Sequence, residues 1–231
     1  MPTLSDADSF DEFFAANKAG ALRVYSGLHR EFTRVFNSVL ESARVDVQTV
    51  QNGTAVAILL RAAKYLYTAH QLALTGHTEE SRVLLRSVVE LEMIGFLVFK
   101  EFEVFCLWKE CFEERMKNTS DGTVSTAKFK ARKYEVSEIA KRYQHLLAAS
   151  DNATGLRRRW GEISTYYSHE NLFNIVPRVD QDDSQTSVYV GTSFESNNKR
   201  MQSSIAETLA LLREVAAFLD EVVQSVKEVR R

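Results

Sequence analysis

The chain has 231 residues, 45% of them hydrophobic and 26% charged, a balance that excludes a disordered chain and suffices for one buried core. Its 29 basic and 31 acidic side chains leave a formal charge of −2, which excludes a global attraction to nucleic acid or an acidic membrane; such binding needs a local patch. Two prolines and nine glycines are too few to punctuate the strands of an all-β fold, so the composition favours long helices.

Met1-Pro2-Thr3 is followed by Asp6, Asp8, Asp11 and Glu12, the opposite of a basic, apolar secretory signal, and a cytoplasmic location is expected. Ser5 with Asp8 resembles a capping box, and Phe10, Phe13 and Phe14 share one face, predicting a short first helix that ends at Gly20. From Ala21 to Leu40 the positions Leu22, Tyr25, Leu28, Phe32, Val35, Phe36, Val39 and Leu40 step by three and four, predicting a second, long helix. Asn52-Gly53-Thr54 reads as a turn with Thr54 as N-cap of a central helix over Ala55 to Leu74, closed by Gly76. Thr78 is the expected cap of the next helix, with Glu79 and Glu80 favoured by the helix dipole in its first turn. That helix is predicted to run, kinked near Lys100, to Met116.

The stretch from Leu84 to Phe99 is the most apolar, but Arg86, Glu90 and Glu92 interrupt it, which excludes a lipid-exposed span and predicts a buried helix. Cys106 and Cys111 lie within one helix with no CxxC pair, and read as reduced core residues. Asn118 to Gly122 is read as a loop. A basic helix over Phe129, Tyr134, Ile139, Tyr143 and Leu146 follows, then one capped by Asp151 that carries Leu156, Trp160, Ile163 and Tyr167 before Pro177. Residues 179–198 form a polar loop with one short strand or hairpin near 186–192, centred on Ser187-Val188-Tyr189-Val190. Met201, Ile205, Leu209, Leu212, Val215, Leu219, Val222 and Val226 make a final helix whose narrow apolar seam closes the bundle or pairs two chains. No repeat or linker is visible. The prediction is an all-α bundle of about six to eight helices in a single domain, residues 1–231.

Two constellations carry chemistry. Arg82, Arg86 and Glu90 lie at i, i+4 and i+8 in the apolar fourth helix, on one stripe where they can pair. Charges there are costly unless paired or lining a polar cleft, so the stripe is either an ion-pair network fixing helix register or part of a site. The second is Trp160-Gly161-Glu162-Ile163-Ser164-Thr165-Tyr166-Tyr167-Ser168-His169, where hydroxyls stand near an imidazole able to move protons at neutral pH. The alternative for His169 is a hydrogen bond to a helix end.

The arrangement of Arg82, Arg86 and Glu90 in a central helix, followed by Ser164 and His169 after a Trp, resembles a family of bacterial helical proteins carrying a domain of unknown function. That family is similar to the HEPN-like group, and the resemblance covers residues 50 to 220. It implies a helical bundle, often a homodimer. In active members it implies a metal-independent ribonuclease of toxin or phage-defence systems, with an antitoxin or other partner protein. The active motif of that group is Arg-x(4–6)-His, which supplies a proton acceptor and a cation for phosphate charge. Here Glu162, Ile163 and Ser164 stand where the arginine belongs, and the formal match is Arg23-Val24-Tyr25-Ser26-Gly27-Leu28-His29. Arg82, Arg86, Glu90, Ser164 and His169 are therefore the candidate catalytic residues, with an arginine reaching His169 from another helix.

RNA would find its local patch in Lys128, Lys130, Arg132, Lys133, Lys141 and Arg142, and in Arg157, Arg158 and Arg159, which alternatively form a solvated face. No Glu-x-x-His pair marks a di-iron bundle, and His70 and His77, two turns apart, lack a third ligand for zinc. No phosphate loop, dinucleotide fingerprint or Gly-x-Ser-x-Gly elbow is present, and no metal, cofactor or membrane is expected. The rival to a HEPN-like ribonuclease or its inactive relative is a non-catalytic helical interaction module whose charged stripe is structural.

Overall fold

In a computed structural model, the structure describes residues 10–42, 49–120, 135–147, 158, 161, 179–182, 185–188 and 199–228. The fold is all-α. Among the described residues the helices with defined bounds are α1 (Phe10–Val24), α2 (Ser26–Ser42), α3 (Val50–Leu74), α4 (Thr78–Lys100), α5 (Phe102–Ser120), α6 (Val136–Arg142), α7 (Gln144–Leu147) and α8 (Lys199–Glu228). One antiparallel hairpin pairs β1 (Val179–Asp182) with β2 (Gln185–Val188), in register Val179 to Val188.

The centre of the bundle is the α3–α4 pair. Alanines dominate the buried face of α3 (Ala55, Ala62, Ala63, Ala69, Ala73), and side chains this small let the two helices approach closely. The approach is closest at Gly95 of α4, where a Cβ atom would stand 2.8 Å from Leu59 Cδ2 and 2.9 Å from Leu59 Cγ. Polar contacts fix the antiparallel register at both ends: the Ser81 hydroxyl donates to the Ala69 carbonyl at 2.7 Å, and Gln51 Nε2 donates to the Val98 carbonyl at 2.8 Å. The connection is a Schellman turn. His77 N–H reaches the Leu72 carbonyl at 2.9 Å and Gly76 N–H reaches that of Ala73 at 3.2 Å. Gly76 supplies the positive φ of 93° that this closure requires.

Helix α8 closes the bundle by packing on α2, α3 and α4. The expected seam residues Ile205, Leu209, Leu212, Val215, Leu219 and Val222 are all buried, and Thr208, Ala216, Phe218 and Val223 join them, so the buried face is wider than a narrow seam. Phe218 meets Phe96 of α4 at 6.1 Å between ring centroids. Ser38 of α2 donates to Asp220 at 2.8 Å, and Arg213 pairs with Glu31 at 3.2 Å. The hydrophobic burial of this helix is the largest single contribution it makes to stability, with the polar contacts setting register.

Several boundaries differ from the sequence reading. The first helix runs through Gly20, and the break falls at Tyr25. Tyr25 N–H still reaches the Ala21 carbonyl at 2.8 Å and its own carbonyl accepts from His29 N–H at 3.0 Å, so the chain bends there without forming a loop. Helix α3 starts before Asn52-Gly53-Thr54: Thr49 is the cap, its hydroxyl accepting from Asn52 N–H at 3.2 Å, and Thr54 is buried in the first turns. Thr78 is the first residue of α4, not its cap; His77 holds that position without a side-chain bond, while Glu79 and Glu80 occupy the first turn as expected. The kink near Lys100 is a full break at Glu101, whose extended backbone (φ −132°, ψ 114°) separates α4 from α5. Asn118 to Ser120 end α5 and are not loop.

Cys106 is exposed and Cys111 half-buried, neither in a disulfide, so they are not core residues; the buried side of α5 is held by Val104 and Phe105. Of the basic helix the structure describes α6 and α7, separated at Tyr143, whose buried hydroxyl donates to Glu103 Oε2 at 2.6 Å. The hairpin begins earlier than expected, with strands at 179–182 and 185–188; Tyr189 and Val190 lie outside the described residues. The helix expected after Asp151 falls outside the described residues except for Arg158 and Gly161, which are helical. No helix among the described residues is long and apolar enough to cross a membrane.

Candidate functional site

The charged stripe of α4 divides in two. Arg82 is 6% exposed and turns away from Arg86 and Glu90 toward α8. Its Nε donates to the Thr208 hydroxyl at 2.9 Å, and Nη2 lies 3.5 Å from Glu207 Oε2. Thr208 is fully buried and Glu207 is exposed, so the guanidinium is held by a buried hydroxyl behind and reaches a solvated carboxylate in front. Its planar array of donors suits this double engagement, which a lysine could not reproduce. One turn further on, Arg86 Nε donates to Glu90 Oε1 at 3.0 Å within the helix, with the two side chains 34% and 26% exposed. The expected pairing along one stripe holds for Arg86 and Glu90 and does not hold for Arg82, because α8 offers it a closer acceptor.

Ser164 and His169 lie outside the described residues, as do Lys128, Lys130, Arg132, Lys133, Arg157 and Arg159; Arg158 is exposed. Among the described candidates the structure therefore brings together Arg86 and Glu90 only.

Two polar features that the sequence reading did not select are buried more deeply. Glu92, also on α4, is wholly buried, and neither carboxylate oxygen has a hydrogen-bond partner among the described residues. On its own helix it is surrounded by buried Val88, Val89 and Phe96. Burial pushes its carboxyl well above the usual range, favouring the neutral acid over the carboxylate. The residue had a signal, since it is one of the charges interrupting the apolar run from Leu84 to Phe99.

The other feature stands where α1, α2 and α3 meet. The bend at Tyr25 lets Lys18 and His29, which would be about 16 Å apart along one straight helix, reach the same turn of α3. Lys18 Nζ donates to Gln71 Oε1 at 2.7 Å, and His29 Nδ1 faces His70 Nε2 at 3.4 Å. His70 is 1% exposed and lies flat on Phe32, with ring centroids 3.9 Å apart and planes 2° from parallel. Its pKa is lowered to about 3, first by burial and then by the charges of His29 and Lys18. Burial and Lys18 lower His29 as well. Both imidazoles are neutral at neutral pH. His77, the other histidine considered for zinc, packs on Phe14 with ring centroids 4.5 Å apart and planes tilted by 45°, and among the described residues no three ligating side chains converge to hold a metal ion.

Comparison with known proteins finds no matching family model, no similar curated protein and no similar solved structure.

Proposed function

We propose that the chain is a non-catalytic helical interaction module and an inactive relative of the HEPN-like ribonucleases. The observation that carries this reading is the fate of Arg82. A cation that serves phosphate must aim its donors into a cleft the phosphate can enter, whereas this one is nine-tenths buried and turns its donors to Thr208 and Glu207 of α8. It acts as a clamp between α4 and α8. Arg86 and Glu90 neutralise one another on the same helix, which removes a second cation from the site. The absence of an arginine five to seven residues ahead of His169, where Glu162, Ile163 and Ser164 stand, supports the same conclusion.

The outward face of α5 supports an interaction role. Phe102 is 62% and Phe112 50% exposed, and Phe112 stacks on Trp108 at 5.6 Å. Aromatic side chains are enriched in protein interfaces relative to the rest of the surface.

The test is incubation of the purified chain with end-labelled RNA in a metal chelator, beside the Arg86→Ala and His169→Ala proteins. Intact RNA in all three is the expected result. Cleavage by the wild type that either substitution abolishes overturns the reading in favour of a ribonuclease built on Arg86 and His169.

A further inference from the structure

The junction of α1, α2 and α3 gathers Lys18, His29 and His70, and among the described residues no carboxylate pairs with any of them. Arg82, Arg86, Lys141 and Arg213 each have a carboxylate within salt-bridge distance, in Glu207, Glu90, Glu138 and Glu31. Lys18 is half-buried, and among the described residues its one hydrogen-bond partner is the neutral Gln71 amide; no carboxylate pairs with it. The groups facing it across the junction are His29 from α2 and His70 from α3, and both feel its charge.

The histidine pair determines which proton is offered outward. The nitrogens His29 Nδ1 and His70 Nε2 face one another, so one must donate and the other accept. His70 Nδ1 is buried and has no partner among the described residues. A bare lone pair there costs less than an orphaned buried N–H. The proton of His70 therefore sits on Nε2 and is donated to His29 Nδ1. His29, accepting at Nδ1 and neutral, carries its own proton on Nε2, at the part of a half-buried ring not engaged by His70.

We propose that Lys18 Nζ and the His29 Nε2–H together form a receiving site for a small oxyanion of the phosphate or carboxylate class, at the junction of α1, α2 and α3. The ammonium supplies the charge and keeps donors beyond the one spent on Gln71. The imidazole supplies a directed neutral donor, which the tautomer set by His70 holds in place. His70 does not touch the anion and acts as a positioning residue. The site is independent of the reading proposed for Arg82, since a chain that cleaved RNA through Arg86 and His169 would retain it.

The experiment is a titration of the full chain with inorganic phosphate and, separately, with acetate, at constant ionic strength set by chloride. It is followed by the side-chain nitrogen resonances of His29 and His70. A saturable shift of His29 Nε2 with either anion is expected, weakened about tenfold or more in Lys18→Met. His70→Leu is expected to weaken it as well and to release the fixed Nε2 tautomer of His29, a spectroscopic change that a purely packing role for His70 would not produce. Circular dichroism of each variant confirms that it is folded. Absence of a saturable shift with both anions, or an equal shift in Lys18→Met, overturns the proposal.

Discussion

Arg82 Nε and the Thr208 hydroxyl, on helices far apart in the chain, meet at 2.9 Å in a buried contact that joins α4 to α8. A buried guanidinium costs a great deal of desolvation, and it persists where acceptors replace the lost water. Removing the hydroxyl leaves the charge underserved. Thr208→Val, nearly isosteric, is expected to lower unfolding stability by about 1–3 kcal/mol, read from urea denaturation. Glu207→Gln is expected to change it by less than about 1 kcal/mol, because that carboxylate is solvated.

Glu92 should be more useful to the fold as an apolar residue. A buried carboxyl without a partner is a liability, and replacing it by a side chain of similar volume removes the desolvation cost. Glu92→Met or Glu92→Leu is expected to raise the urea midpoint at neutral pH, and the gain over wild type should shrink as pH is lowered toward 4.5. An unchanged or lowered midpoint across that range would show that the carboxyl is satisfied in solution.

Glu92 and His70 together shape the pH profile, with opposite signs. The carboxyl of Glu92 is raised above its ordinary value of 4.5, so its contribution to stability is complete below that pH and is lost as pH rises. The imidazole of His70 is lowered from 6.5 to about 3, so its contribution is complete above 6.5 and is lost as pH falls toward 3. Above 4.5, wherever the unfolded chain holds a proton on His70 and the folded chain keeps one on Glu92, the two slopes oppose one another. Each flank should fall by up to about 1.4 kcal/mol per pH unit from these groups. His70→Leu is expected to flatten the acid flank and Glu92→Leu the alkaline one, by urea denaturation across the range.

Gly95 is needed for a different reason. The Cβ of an alanine would stand under 3.0 Å from two atoms of Leu59, which is itself 1% exposed and has little room to yield. Gly95→Ala is expected to cost about 1–3 kcal/mol through overpacking, despite alanine's higher helix propensity. The double variant Gly95→Ala with Leu59→Ala should relieve the clash and cost less than the sum of the single changes, by thermal unfolding.

The helical period made most of this fold legible. The buried positions of α8 and the closure at Gly76 follow directly from spacing and from the one residue that tolerates positive φ. Helix starts were less legible, since Thr49, Thr54 and Thr78 are equivalent as local caps and tertiary packing selects among them. The exposure of Cys106 was hidden because α5 packs by Val104 and Phe105 and not by the neighbouring cysteine. The stripe of Arg82, Arg86 and Glu90 was visible as a pattern, but its division was not: periodicity places side chains on a face and does not say which helix will bring a hydroxyl to it. Lys18 had no local signal at all. Its meeting with His29 on one turn of α3 depends on the bend at Tyr25, which no glycine or proline at that position marks.

A double-mutant cycle across Arg82 and Thr208 decides whether the buried arginine of α4 is architectural. Arg82→Met, Thr208→Val and the double variant are compared with wild type by urea unfolding. If the clamp is architectural, the double variant is more stable than the sum of the single losses implies, with a coupling of about 1 kcal/mol or more. Additive effects, with Arg82→Met as stable as wild type, would contradict it and return Arg82 to the list of side chains free to serve a ligand.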